Sequence, residues 1–343
     1  LAQGVELVQP HKDRVAAFAQ LFNQVIALAN FDTTSGQYLY ANVNPTRNVL
    51  LNMPYAMGCD HEKPPTVIGA GKGKPAILCA AGPSLDSALI HLKALQATHV
   101  ILCVGRVFHK LRALGIRVDY VLSVEMFDWD SAIWDCVTKE EAADTILAFA
   151  AVCAPTTVRK WPGRKVCLWD VETAKLVDRE DYILGGNSVS HHQLNFAAQI
   201  LECEPLILVG QDLAYTKPQT HCDDSTPASW PEAVKNQDLS YHGQEAWVPC
   251  TGKGDTFDPA CHRTPVIMGG GSVLPSRMIE VRSSQPYKNF ATLFSILINK
   301  HGKKVYNACA NGQKIEGAEY LDLAEYAAKN LLPSESAVVN SVS

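Results

Sequence analysis

Short, wholly apolar runs alternate with stretches of helical period through the middle of this chain. The run Pro75-Ala76-Ile77-Leu78-Cys79-Ala80-Ala81 has no polar position inside it, the pattern of a strand buried on both faces. Similar runs predict strands over 99–104, 120–124, 145–152, 165–169, 206–209 and 304–308, with helix-compatible segments between most of them. Buried strands separated by helices predict an α/β fold: a Rossmann-like, mainly parallel sheet with helices on both faces. Ligands of such sheets bind beyond the carboxyl ends of the strands.

The flanks read differently. Val15, Phe18, Phe22, Val25 and Leu28 recur at helical spacing, whereas the stretch from Phe31 to Lys63 has no clear period and ends at Pro64-Pro65. Residues 1–65 are therefore expected to form a helical lead-in, a fragment of a longer segment, and 66–332 the α/β domain. Within the domain, 214–280 is rich in Pro, Gly, Asp, His and Ser and predicts a long loop. Tyr287, Phe290, Leu293, Phe294 and Leu297 share one face of a helix expected over 286–299, and a last helix is expected over 321–331. Residues 333–343 read as a flexible tail.

Composition narrows the function classes. With 343 residues, 47% of them hydrophobic, the chain can bury a large core. Thirty Lys and Arg against thirty-five Asp and Glu give a formal charge of −5, so the basic excess that nucleic acid requires is missing. No apolar run approaches the roughly 18 residues of a membrane span, and the first residues lack a signal-peptide pattern. No membrane partner is expected. The chain starts at Leu1, which reads as a start inside a longer protein. Eleven cysteines is an odd number, and Cys79, Cys103 and Cys167 sit in apolar runs, so reduced thiols and a cytoplasmic location are expected. His221-Cys222, Cys250 and Cys261-His262 are of metal-ligand type but include no CxxC pair, and no metal is expected there.

Two strand-to-helix elbows carry the candidate chemistry. Ala81-Gly82-Pro83-Ser84-Leu85-Asp86 can turn amides and a hydroxyl toward an anion, or can simply cap its helix through Ser84 or Asp86. Leu184-Gly185-Gly186-Asn187-Ser188-Val189 repeats the design, its glycines allowing close approach to a ligand and Asn187 and Ser188 offering hydrogen bonds. Gly210-Gln211-Asp212 ends another strand, where a carboxylate can orient a hydroxyl, bind a cation, act as a base or cap a turn. His221 ranks first among the loop histidines because it follows Asp212 closely. Gly105-Arg106 and Glu125 with Asp128 also end strands, and rank lower because most such charges are merely solvated. Gly69-Ala70-Gly71-Lys72-Gly73-Lys74-Pro75 resembles a phosphate loop but precedes its strand and runs into proline.

Together, KPAILCAAGPSLD at 74–86, RVDYVLSVE at 117–125, the segment from GGNSVSHHQ to GQDLAYT at 185–216 and VYNACANGQKIEGAEYLDL at 305–323 resemble one family. It is the domain shared by the Maf flagellin glycosyltransferases (motility accessory factors) and the MptE-type 6-hydroxymethylpterin pyrophosphokinases. The family's sheet is similar to that of bacterial sialyltransferases, whose Asn-Gly-Pro-Ser-Leu loop becomes Ala81-Gly82-Pro83-Ser84-Leu85 here. By that correspondence Gly105 replaces a nucleotide-binding Asn, and Asn187 and Ser188 lie near the loop that holds the sugar nucleotide. Gln211-Asp212 matches the family's own motif, and His221 a Thr-His pair that often follows it.

The resemblance implies transfer of a nonulosonic, sialic-acid-like sugar from its CMP conjugate to Ser or Thr of a protein such as flagellin, with no cofactor. Asp212 or His221 would accept the acceptor's proton; Gly82, Pro83, Ser84, Gly105, Gly186, Asn187, Ser188 and Gln211 would hold the nucleotide. The alternative it implies is a pterin pyrophosphokinase using ATP and Mg²⁺, with Glu125, Asp128 and Asp212 as metal ligands. An inactive nucleotide-binding module is a further alternative, prompted by Ala81 and Gly105.

Overall fold

The computed structural model describes residues 45–58, 66–128, 130–216, 221–223, 245–251, 261–263 and 279–330. The helix expected over 13–30 and the tail 333–343 lie outside these residues.

Eight strands form one sheet. In chain order they are β1 (Ala76–Cys79), β2 (Val100–Val104), β3 (Tyr120–Ser123), β4 (Ile146–Ala150), β5 (Lys165–Leu168), β6 (Leu206–Val209), and then β10 (Val305–Asn307) and β11 (Ala318–Tyr320). Their spatial order is β11-β10-β6-β1-β2-β3-β4-β5, and every neighbouring pair is parallel. The seven strands expected from apolar runs are all present, a residue or more shorter at most ends. β11 was not expected: Ala318-Glu319-Tyr320 sits at the sheet edge, is not buried, and so carries no apolar run.

Alternate residues of each strand feed two cores. Ile77, Cys79, Ile101, Cys103, Val121 and Phe149 point to one face, where helices α2 (Leu85–Leu95), α3 (Phe108–Ala113) and α8 (Leu323–Asn330) pack. Ala76, Leu78, Leu102, Leu122 and Leu208 point to the other, covered by α6 (Val189–Asn195, continuing as a π-turn to Ile200) and α7 (Gln285–His301). α7 is set by its ends: Ser284 accepts the Tyr287 amide, Pro286 opens the first turn, and Gly302 closes the helix in the left-handed region at φ 61°.

The remaining helices are α1 (Pro45–Ala56), α4 (Pro155–Lys160) and α5 (Val171–Leu176). α1 belongs to the lead-in, yet Val49 and Ala56 enter the first core. One turn apart, Asn48 and Asn52 donate to the carbonyls of Met126 and Val152 and of Ala151 and Cys153. The helix is thus fastened to the loops that follow β3 and β4.

The stretch expected as one long loop contains two short strands, β7 (Glu245–Pro249) and β8 (His262–Arg263), and a third, β9 (Glu280–Ser284), begins at its end; the three are antiparallel in the order β7-β9-β8. Sequence pattern misses them because they are two to five residues long and pair across wide gaps in the chain. Tyr215 donates its amide to Arg282, and the Ser283 hydroxyl donates to Leu213, tying this sheet to the chain leaving β6.

Candidate functional site

The strand order places the switch point of the main sheet between β1 and β6: the chain builds outward from β1 through β5, then returns to β1's other side. At such a point the connections leave in opposite directions and open a crevice beyond the carboxyl ends. A cavity of about 270 Å³ lies there, its floor made by Ala80, Ala81 and Gly82 after β1 and by Gly210, Gln211 and Asp212 after β6. Gly105 and Arg106 follow β2 into it, Glu125 follows β3, Ser188, Val189 and Ser190 open α6, and Tyr287 and Phe290 come from α7.

Gly82, Gly105, Ser188, Gln211, Asp212, His221 and Glu125 are therefore brought together from the residues the sequence singled out. Pro83, Ser84, Gly186 and Asn187 flank the cavity lining without joining it, and Asp128 is exposed.

The first elbow is already occupied by a side chain. Asp212 Oδ2 accepts from the Ser84 amide at 3.2 Å and from the Ser84 hydroxyl at 2.8 Å, while Oδ1 accepts from Thr216 at 3.2 Å. Ser84 makes no side-chain cap to its own helix, contrary to the simple capping reading. The carboxyl of Asp212 thus sits where a bound anion would sit at a helix start. Burial pushes its pKa up, opposed by the hydrogen bonds from Ser84 and Thr216. The close fit requires Gly82: a Cβ there would lie 2.1 Å from Asp212 Oδ2 and 2.5 Å from the Gly210 carbonyl.

The second elbow is held by its own helix. Ser188 caps α6, its hydroxyl oxygen accepting the His191 amide. Gly186 stays outside the cavity lining and makes room for this histidine, since a Cβ on Gly186 would lie 2.3 Å from His191 Cβ. His191 is fully buried, and burial brings its pKa down to about 4.

Arg106, ranked low from the sequence, lines the same cavity. Its guanidinium lies 3.2 Å from His221 Nε2. A guanidinium only donates, so His221 Nε2 accepts and its ring proton sits on Nδ1. The short segment bearing His221 is pinned over the cavity. The Cys222 amide donates to the Ala81 carbonyl at 2.8 Å, the Asp223 amide donates to Asp86 at 3.1 Å, and Lys110 bridges Asp86 and the Asp223 carbonyl. Asp86, read as a possible cap, is half of this clasp. Tyr287 and Phe290 were legible only as one apolar helix face, and nothing in their spacing distinguished a cavity wall from core packing.

Among the described residues no three of His, Cys, Asp and Glu gather as a metal site. That includes Glu125, Asp128 and Asp212, and the last has both oxygens engaged. The described residues by themselves do not make a ready magnesium site. No helix among the described residues is long and apolar enough to cross a membrane.

A parallel α/β sheet with a cavity at its switch point defines the class: a Rossmann-like α/β domain. The chain belongs to the 6-hydroxymethylpterin diphosphokinase MptE-like family, whose model matches residues 47–218, slightly more than half of it. Its fold is similar to that of the MAf glycosyltransferase from Magnetospirillum magneticum AMB-1, with a TM-score of 0.55 and 16% sequence identity. The likeness covers 86% of this chain and 41% of that one, so the chain spans less than half of that protein's length. No curated protein matches the sequence.

Proposed function

We propose that this chain is a nucleotide-sugar-dependent glycosyltransferase that moves a CMP-activated nonulosonic sugar to Ser or Thr of an acceptor protein such as flagellin. The observation that carries the reading is the meeting of both elbows with Arg106 and His221 in one switch-point cavity. The fold likeness to a MAf glycosyltransferase supports it.

On this reading each group has a distinct task. Arg106 receives the leaving phosphate, because a fixed guanidinium matches a phosphate in charge and geometry. Phosphate competes with His221 for Arg106, so donor binding frees the Nε2 lone pair. His221 then takes the acceptor hydroxyl's proton, a role that contributes about 10²- to 10⁴-fold. Asp212, the other expected proton acceptor, holds the first elbow rigid through Ser84. Tyr287 and Phe290 offer an aromatic wall for the base or sugar.

The family's description favours a second reading, diphosphate transfer from ATP to a hydroxymethylpterin. Titration calorimetry separates the two. CMP binding without Mg²⁺ supports the glycosyltransferase; Mg²⁺-dependent ATP binding followed by pterin binding supports the kinase. Absence of binding by either nucleotide supports an inactive module.

A further inference from the structure

Ser188 lines the cavity, and its hydroxyl touches His191 twice. What it can offer a ligand depends on where its proton points, and the histidine decides that. His191 Nε2 lies 3.0 Å from the Phe290 carbonyl, which can only accept, so Nε2 carries a proton and donates it. A neutral imidazole has one N–H, so Nδ1 is left as an acceptor. The ring is fully buried, packed 4.4 Å from Phe294 between centroids, with no acidic side chain among its hydrogen-bond partners to sustain an imidazolium. The Ser188 hydroxyl, 2.9 Å from Nδ1, therefore donates its proton into the protein. With one lone pair taken by the His191 amide, a second lone pair is all that this hydroxyl has left to offer a ligand.

We infer that His191 is a positioning residue that makes Ser188 a hydrogen-bond acceptor, so that this elbow receives a nucleoside hydroxyl of the ligand and not its phosphate. The inference rests on the reading of the cavity as a nucleotide site, and it changes the task expected of Ser188. A serine that cannot donate has nothing to give a phosphate oxygen, whereas a ribose hydroxyl can donate to it. Anion recognition then falls to Arg106, which lines the same cavity. The chain Phe290 carbonyl, His191 ring, Ser188 hydroxyl also joins α7 to α6, so two walls of the cavity share one hydrogen-bond relay.

The first test needs no ligand. In protein labelled with ¹⁵N-histidine, the His191 ring should show protonated Nε2 and bare Nδ1 between about pH 6 and 8. Ser188→Ala should shift the Nδ1 resonance while leaving Nε2 in place. A protonated Nδ1, as the other tautomer or as imidazolium, overturns the proposal whatever the cavity binds. The second test uses cytidine and CMP by calorimetry. Ser188→Ala should weaken both by the same factor, roughly fivefold to tenfold, as expected for one lost hydrogen bond. The advantage of CMP over cytidine should stay unchanged. Loss of that advantage, or unchanged affinity for both ligands, overturns the assignment of Ser188 to the nucleoside. If neither ligand binds wild-type protein, the nucleotide reading and the ligand half of this inference fail together, and the ring spectrum still decides the proton placement. His191→Phe keeps an aromatic ring in the same space and releases the serine proton, so it should reproduce the cytidine loss while Ser188 is still present.

Discussion

The two elbows have similar sequences, each a glycine turn leading through serine into a helix, and they end in opposite conditions. At the first, Asp212 reaches across from β6 and takes both the amide and the hydroxyl of Ser84. At the second, the serine is held by an imidazole from its own helix, and Ser188, Val189 and Ser190 line the cavity. A helix start that attracts anions is satisfied equally well by a carboxylate from the same chain or by a ligand. Whether such a motif serves structure or binding is therefore a question about what the tertiary fold places against it. Here one elbow braces the cavity and the other faces it.

Substitutions at Gly82 of the first elbow and at Gly105, a cavity-lining glycine outside both elbows, should separate a braced position from an open one. Gly82→Ala is expected to have the largest effect. Its Cβ would meet a carboxylate and a backbone carbonyl, neither of which can retreat cheaply, and overpacking of this kind costs about 1–3 kcal/mol or more. Urea unfolding should show a lowered midpoint. By contrast, Gly105→Ala adds a Cβ 3.4 Å from Trp134, an ordinary contact, and should unfold like wild type. Equal loss from both would mean that the first elbow is not braced in this way.

Asp212→Ala comes next, because it leaves the part-buried Ser84 amide without its partner and the Ser84 hydroxyl with only the weak acceptor Cys309 Sγ, at a cost of about 1–3 kcal/mol. Asp212→Asn keeps an acceptor for Ser84 and should retain most of the stability. The sign of its pH dependence follows from burial. The folded pKa of Asp212 is raised above the usual carboxyl value, so its ionisation opposes folding as pH rises through the acid range. The asparagine variant should lose that component, as urea midpoints measured at several acidic pH values would reveal.

Arg106→Met and His221→Ala test function with little effect on the fold. His221→Ala should cut sugar transfer about 100-fold or more, the low side of what one general base contributes, and Arg106→Met, which removes a charge-assisted phosphate contact, roughly tenfold or more. Arg106→Met should also weaken CMP while sparing cytidine. Near-normal turnover by both variants would remove them from the mechanism.

Acid sensitivity gives a smaller signal. The pKa values of His191 and His99 are brought down to about 4 by burial, so their contribution to stability is present above about 6.5 and fades as pH falls toward 4. His191→Phe should lower the difference between urea midpoints at about pH 7 and pH 5, because one group that resists protonation is gone. The smallest change is expected from Lys110→Met. It should quicken hydrogen exchange of the Cys222 and Asp223 amides, leaving global unfolding nearly unchanged. Unaltered exchange would mean that Lys110 does not hold the His221 segment.

Much of the architecture was legible from the chain because burial on both faces of a parallel sheet forces apolar runs such as Ala76–Cys79 and Leu206–Val209. The small sheet escaped because β9, Glu-Val-Arg-Ser-Ser, buries Val281 as its one aliphatic residue, and β8 is two residues long. Within the cavity, residues that end strands were found, since chain position alone marks a carboxyl edge. Residues that reach in from α7 were not, since an aromatic on an apolar face reads the same against a core or a cavity.

Local patterning thus determined the seven apolar strands of the main sheet, the helices with a clear apolar period and the two turns, because each depends on neighbours a few residues away. Only the tertiary structure decided which turn stays available, as Asp212 and Ser84 are 128 positions apart in the chain and their hydrogen bond exists only once β1 and β6 lie side by side. The same holds for the pairing of Arg106 with His221 and for the proton on Ser188, which depends on a carbonyl of α7 that no short stretch of sequence connects to it. Hydrogen-bond direction is a property of the assembled network, and a serine read alone carries no record of it.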